Sequence, residues 1–322
     1  MAEISKLSGV AIADVAKVDA ILKASIANIN DLTIPSAYDA PLDTYTGSDF
    51  AFSVRLLRSA YTGAPMRVMR VTGGTGDADE ADIGFVNNVI SLDSAISNAS
   101  AGVTATTLGQ FINVGTVGGT TYTNPDSLTV TAECEVVKFY DQSTSGYDIT
   151  AVGATAQLYI HDGTADTDLQ KENGHPIARN DGDLYARYEN SSYTSGTSNS
   201  IFTAIRHDRT GDAILLYDGQ VLLQATSGST SAASYGYGTL TYYRDGAEWE
   251  SSAPTRGDAY TSLYQDLRLM TILYGNPSST ILRFGRAGVA AAYGFHEIIN
   301  FPNQTVSRTG MEGNINSYYS IF

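Results

Sequence analysis

The sequence predicts a mainly β protein, an antiparallel sandwich or barrel with a few short helices and an N-terminal arm. Three observations predict it. Gly (31) and Tyr (21) are abundant among 322 residues, Ser and Thr are plentiful and Lys is scarce. Tyr and Thr suit pleated, half-buried surfaces, while Gly punctuates turns. Helix formers thin out after residue 110. From residue 200 onward short apolar runs alternate with loops rich in Ser, Gly and Asp, as antiparallel strands do. An apolar content of 43% is enough to build a core.

Residues 1–36 stand apart. The stretches Val10–Ala20 and Ile21–Asp31 repeat one another, aligning Val10 with Ile21, Ala13 with Ala24, Val15 with Ile26, Ala16 with Ala27 and Val18 with Ile29. Val15, Val18, Leu22, Ile26 and Ile29 are spaced three and four apart, as on one helix face, although the alternation at Val10 and Ile12 suits a strand equally well. So short a segment buries little alone. It reads as an arm that docks on a partner or on symmetry mates, or else as an ordinary N-terminal element packed on the main domain. Ile34-Pro35 ends it, because Pro cannot continue a helix and restricts the residue before it. Residues 37–322 are then the sandwich domain.

Within that domain residues 45–63 predict a helix. Phe50, Val54, Leu57 and Tyr61 follow one face, Thr46, Ser48 or Asp49 can cap it, and Gly63 and Pro65 stop it. Met66–Val71 alternates as a strand should, Gly73–Glu80 is an acidic turn, and residues 91–112 carry a weak helical period. Leu128–Tyr140 is the longest strand-like run. Later strands are expected at Ile201–Ile205, Ala213–Leu223, Leu240–Tyr243, Leu267–Tyr274, Ile281–Phe284 and His296–Phe301, with loops at Thr226–Ser234 and Ser251–Asp258 between some of them. Val306–Phe322 reads as a closing helix capped by Ser307 or Thr309, with Met311, Ile315 and Tyr318 on one face.

Acids outnumber bases 34 to 19, a net charge of −15, and no polybasic run occurs. That argues against nucleic acid and anionic membrane as partners, since both are gripped by clustered Lys and Arg. No stretch reaches the roughly 18 to 20 apolar residues that span a bilayer, and residues 1–10 lack the pattern of a signal peptide. A single cysteine, Cys134, excludes an intramolecular disulfide framework and a cysteine-based zinc site.

Five blocks carry a resemblance. They are Ala51–Gly63 with Met66–Val68, then Asp82–Phe85, then Lys138–Ser143 followed by Gly146–Thr150, then Leu282–Gly285 with Gly294–Ile299, and last Arg308–Phe322. In this order they resemble the laminin-G-like, concanavalin-type sandwich domains of tailed-bacteriophage structural proteins, and the layout is similar to the catalytic domain of fungal α-L-arabinofuranosidase B. The repeat at residues 10–31 is likewise similar to N-terminal repeats of marine phage virion proteins. The resemblance implies a jelly-roll sandwich and a virion structural protein, made in the host cytoplasm: a tail fibre, tail appendage or capsid fibre. Its arm would dock on other virion proteins and its lectin-like sandwich would serve assembly or adhesion to a host surface glycan. A homo-oligomer is expected, a trimer in the simplest case, because symmetric closure lets a short apolar arm bury itself on its own copies. A capsid decoration protein without host contact, and a carbohydrate-active hydrolase or binding module, are the alternatives.

Glu133 with Glu135, and Glu248 with Glu250, are carboxylates at i, i+2 and so share a strand face, as the paired acids of a glycosidase could, but solvated strands show the same spacing. No catalytic residue of the arabinofuranosidases can be placed, and the chain is expected not to be an enzyme. Laminin-G-like domains often hold calcium. Asp141, Asp148, Asp162, Asp166 and Asp168 are oxygen donors near loops, yet no single loop gathers the six to eight oxygens calcium takes, so neither metal nor cofactor is expected. Trp249, with Tyr235 and Tyr237 in a nearby Gly-rich loop, could stack a sugar ring, although aromatics serve cores and subunit contacts as readily. Gly73–Gly76 and Gly115–Gly119 lack the Gly-Lys-Ser/Thr ending of a phosphate loop and read as turns. His161, His175, His207 and His296 are scattered. Glu133 and Glu135 would raise the Cys134 thiol and quench its reactivity.

Overall fold

Phe50–Ser53, the segment expected inside a helix, is an extended strand, and all four of its residues are buried. Alternation explains why. Phe50 and Phe52 join the core between the two sheet layers, and Ala51 points to a second core on the opposite face. A helix would have split the aromatic pair. The backbone beyond this strand is also committed elsewhere: Val54 N–H donates to His296 O, Leu56 N–H to Asn88 O and Leu57 N–H to the Gln142 side chain, so no helical ladder forms over 54–63.

The computed structural model describes residues 6–7, 10–11, 38–72, 79–126, 128–152, 157–180, 187–193, 198–207, 213–218, 220–234, 240–249, 254–275, 282–284, 293–303 and 306–322. The chain divides into two compact units, residues 1–39 and 40–322. In the first, Lys6–Leu7 pairs antiparallel with Val10–Ala11. The arm residues Val15, Val18, Leu22, Ile26 and Ile29 lie outside the described residues.

The second unit is an antiparallel β-sandwich with a few short helices. One layer runs, by hydrogen-bonded neighbours, from Ala247–Glu248 to Leu240–Arg244, Arg268–Gly275, Ser198–His207, Tyr293–Phe301 and Phe50–Ser53. The other runs from Ile96–Ser97 to Glu80–Ile83, Met66–Val71 and Glu133–Phe139, and on through Ile149–Ala151, Tyr188–Asn190, Leu282–Phe284, Ala213–Asp218 and Gln220–Ala225. The two-residue strand Ala178–Arg179 bonds both to Tyr159–Asp162, which lies beside Glu133–Phe139, and to Tyr293–Phe301, closing the strand network on itself.

Side-chain alternation assigns each face. Met66 and Val68, Cys134 and Val136, Met270 and Ile272, and Phe295 and Ile298 fill the space between layers. Phe139 anchors that core, with ring centroids 5.1 Å from Tyr188 and 4.9 Å from Phe295. Truncating such a ring to Ala costs about 3–5 kcal/mol. The outer faces of the Ser198–His207 and Tyr293–Phe301 strands are apolar too: Phe202, Ala204, Ile299 and Phe301 pack beneath Met311, Ile315 and Tyr319 of the closing helix. Those strands are buried on both sides, which is why they read as continuous apolar runs.

The closing helix spans Arg308–Tyr319, with Ser307 as its cap accepting from Gly310 N–H. In residues 91–112 the weak helical period yields only the short helix Leu108–Ile112, capped by Thr107, after the edge strand Ile96–Ser97. The helix Arg256–Leu263 begins inside a segment expected to be loop. Its signal was the Thr255-x-x-Asp258 capping box, in which each side chain bonds the other's backbone N–H. Among the described residues no helix is long and apolar enough to cross a membrane.

Candidate functional site

Arg244-Asp245-Gly246-Ala247 is a two-residue hairpin turn, in which Arg244 pairs with Ala247. Asp245 (φ 52°) and Gly246 (φ 83°) both take the left-handed backbone that such turns require, and Asp-Gly is a favoured pair for it. Asp245 then ties the turn to the next strand. Its N–H donates to Leu269 O, its Oδ1 accepts from Leu269 N–H at 3.1 Å, and its Oδ2 accepts from Arg268 at 3.1 Å. Trp249 follows the hairpin, its N–H donating to Tyr242 O and its half-buried indole packing against the main core.

This hairpin and the Arg256–Leu263 helix border a polar cleft of about 450 Å3, lined by Arg244, Asp245, Trp249, Asp258, Thr261, Ser262 and Arg268. The guanidinium of Arg244 lies 5.2 Å from the Trp249 ring centre and donates from Nη1 to Ser262 Oγ at 3.0 Å. Arg268 is fully engaged: Nε donates to Ser262 O, Nη1 to Asp245 and Nη2 to Asp266. Hydrogen bonds from Thr255 hold the Asp258 carboxyl below its usual range, so it stays charged near neutral pH. The cleft thus combines an aromatic–guanidinium stack with charged and hydroxyl groups suited to ring hydroxyls.

Of the residues expected to touch a glycan, Trp249 lies in this cleft, with Arg244 stacked on it. Tyr235 and Tyr237 lie outside the described residues. Arg244, Asp258 and Ser262 were missed by sequence reasoning. The visible signal was Arg-Asp-Gly before Trp249; the helix on the other wall was hidden in a presumed loop.

The other candidates resolve differently. Cys134 faces the core and Glu133 and Glu135 share the opposite face of their strand. Burial, then Glu135 and Glu133, push the thiol well up. Burial and the neighbouring Glu133 push the Glu135 carboxyl up to about 7. Glu248 is exposed and Glu250 lies outside the described residues. Asp141 spends its carboxylate on Ala51, Ser143 and Tyr147 N–H groups and on the Ser143 hydroxyl, fastening a loop to the Phe50–Ser53 strand. Asp148 accepts from Asp141 N–H and pairs with Lys138. Asp162 accepts from Thr164 and Gln170, Asp166 accepts from Thr116 N–H, and Asp168 pairs with Lys171. Among the described residues no group of three or more His, Cys, Asp or Glu is placed to hold a metal.

A second polar constellation was invisible in the sequence. The register between Ser198–His207 and Tyr293–Phe301 slips at Ala204/Ile205, a bulge that leaves His296 without an opposite partner. Glu297 accepts from Arg55 Nε at 2.6 Å and Nη2 at 3.0 Å, and from the Tyr319 hydroxyl at 3.1 Å. Arg55 is 1% and Glu297 0% exposed. His296 donates from Nδ1 to Pro176 O, and burial pushes it down to about 3, so the ring is neutral. Sealed under the closing helix, this set fastens helix to sheet and offers no substrate a way in.

No family model matches the chain, and no curated protein matches it. Among solved structures it is similar to a GH54 α-L-arabinofuranosidase soaked with a cyclic sulfate inhibitor and to a mutant GH54 α-L-arabinofuranosidase soaked with 4-nitrophenyl α-L-arabinofuranoside. For both, identity is 13% and the TM-score 0.46, over 85% of this chain and 62% of the other. An arabinofuranosidase complexed with arabinofuranosyl-α-1,2-xylobiose matches with the same identity and TM-score, over 85% and 63%. This chain therefore spans under two thirds of the length of each. The expectation that it is not an enzyme does not stand beside these neighbours, each of them an arabinofuranosidase, and is corrected: turnover is decided by assay. A likeness at this level places no catalytic residue and names no substrate for this chain.

Proposed function

We propose that this chain is a saccharide-binding structural protein of a tailed-phage particle, with the sugar seated in the cleft between the Arg244–Ala247 hairpin and the Arg256–Leu263 helix. The observation that carries the saccharide reading is the cleft itself: about 450 Å3, with Arg244 stacked on Trp249 and hydrogen-bonding groups of both signs around the rim. Carbohydrate sites need this mixture, since a sugar ring presents apolar C–H faces and a belt of hydroxyls. The particle setting is supported separately, by the sequence blocks between Ala51 and Phe322 and by the repeat in residues 10–31. In that setting the arm would dock on other virion proteins as a homo-oligomer.

Glycan-array binding by the full chain tests the first part. Specific glycans should be retained, and Trp249→Ala should reduce retention at least about tenfold by removing the surface that positions Arg244. Retention unchanged by Trp249→Ala would remove the cleft from the account. Sugar release is followed in the same samples. Antibody labelling of purified particles tests the second part, and particles that never carry the chain would end it.

A further inference from the structure

In a chain with 15 more acids than bases, unpaired arginines are conspicuous. Arg55, Arg67, Arg70, Arg187, Arg206, Arg268, Arg283 and Arg308 all pair with carboxylates. Arg244 does not. Its Nη1 is spent on the neutral Ser262 hydroxyl, while Nε and Nη2 have no partner among the described residues. Trp249 stacks against the guanidinium and Ser262 holds one end of it, so the free edge has a fixed direction. Two parallel N–H donors on one edge of a guanidinium match the two oxygens of a carboxylate.

Among the described residues, the nearby aspartates do not compete for that edge. Asp245 is spent on Arg268 and Leu269 N–H, and Asp266 pairs with Arg268. Asp258 gives Oδ2 to the Thr255 N–H and hydroxyl, leaving Oδ1 as an acceptor. From this geometry we infer that the cleft selects an acidic glycan, a uronic- or ulosonic-acid ring whose carboxylate seats on the Nε/Nη2 edge of Arg244. Its ring hydroxyls donate to Asp258 Oδ1. The inference rests on the saccharide reading above and sharpens it to a charge class. Placing the carboxylate on Arg244 keeps it apart from Asp258, which stays ionised.

The test titrates the full chain with matched ligands: methyl glucuronide against methyl glucoside, and lactose with and without a terminal N-acetylneuraminic acid. Acidic members should bind roughly tenfold or more tightly than their neutral partners, and the preference should shrink as salt rises. Arg244→Lys, which keeps the charge and loses the fork, and Arg244→Gln should each erase most of the preference, weakening the acidic members several-fold more than their neutral partners. The comparison within the unaltered chain needs no variant, so a misfolded variant does not spoil the test. Equal binding of acidic and neutral partners would overturn the inference and leave the saccharide reading standing. Binding of neither kind would overturn both. A short peptide with a free C-terminal carboxylate that binds as well as the acidic glycans, and depends on Arg244, would overturn the glycan assignment in favour of a peptide.

Discussion

Glu135 shows how a single residue can read differently by sequence and by fold. By spacing it is half of a carboxylate pair; in the fold it is a half-buried acid beside Glu133 whose carboxyl is pushed up to about 7. The folded protein therefore holds this proton more tightly than the unfolded chain does. Stability from the protonated form is full below the ordinary value of 4.5 and is lost as pH rises to about 7. Glu135→Gln should then stabilise the fold at pH 8 by roughly 1 kcal/mol after allowing for solvent screening, about 2 °C in Tm, and change little at pH 4. Thermal melts of both proteins at the two pH values check this, and equal shifts at both would contradict it. Glu297 is the opposite case. Removing its carboxylate strands a buried guanidinium, so Glu297→Ala should cost about 3–5 kcal/mol by denaturant unfolding, far more than loss of an exposed pair. Sequence could not foresee this, because Arg55 and Glu297 are 242 positions apart. Trp249 was legible as the only tryptophan beside an Arg-Asp-Gly turn. Arg244 as its stacking partner was not, since the contact needs the hairpin to fold back.

Elements were legible where one period dominated. Met66–Val71 alternates buried and half-buried positions along its whole length, and Met311 and Ile315 of the closing helix are fully buried. The segment 45–63 misled because Phe50, Val54, Leu57 and Tyr61 fit a helical face while Phe50, Ala51 and Phe52 fit a strand buried on both sides. Pairing of the strand with Tyr293–Phe301 decided the matter, and a partner some 240 residues away leaves no local trace. Arg256–Leu263 escaped notice because its composition is polar and Thr255-x-x-Asp258 was the only marker. Thr255→Ala should lower stability by about 1 kcal/mol through the lost cap. It should also weaken glycan binding, because Asp258 loses the hydrogen bonds that orient it. A melt together with a titration separates the two effects. If the stability drops and the affinity does not, Asp258 is no part of the ligand site.

At the scale of the whole molecule, the sandwich class was legible and its closure was not. Alternation announces two layers, whereas the bridging strand Ala178–Arg179 is two residues long and carries no pattern. The arm adds a claim of its own. In the proposed setting a chain lacking residues 1–36 should fold but fail to enter particles, as followed by blotting purified virions, and normal incorporation would remove docking from the account. The central claim is a sugar in the cleft, and a crystal structure of the full chain grown with the tightest glycan from the array tests it most directly. The account predicts density for a ring against Arg244 and Trp249, within hydrogen-bonding distance of Asp258. A ring bound elsewhere on the sandwich, with this cleft empty, would contradict it.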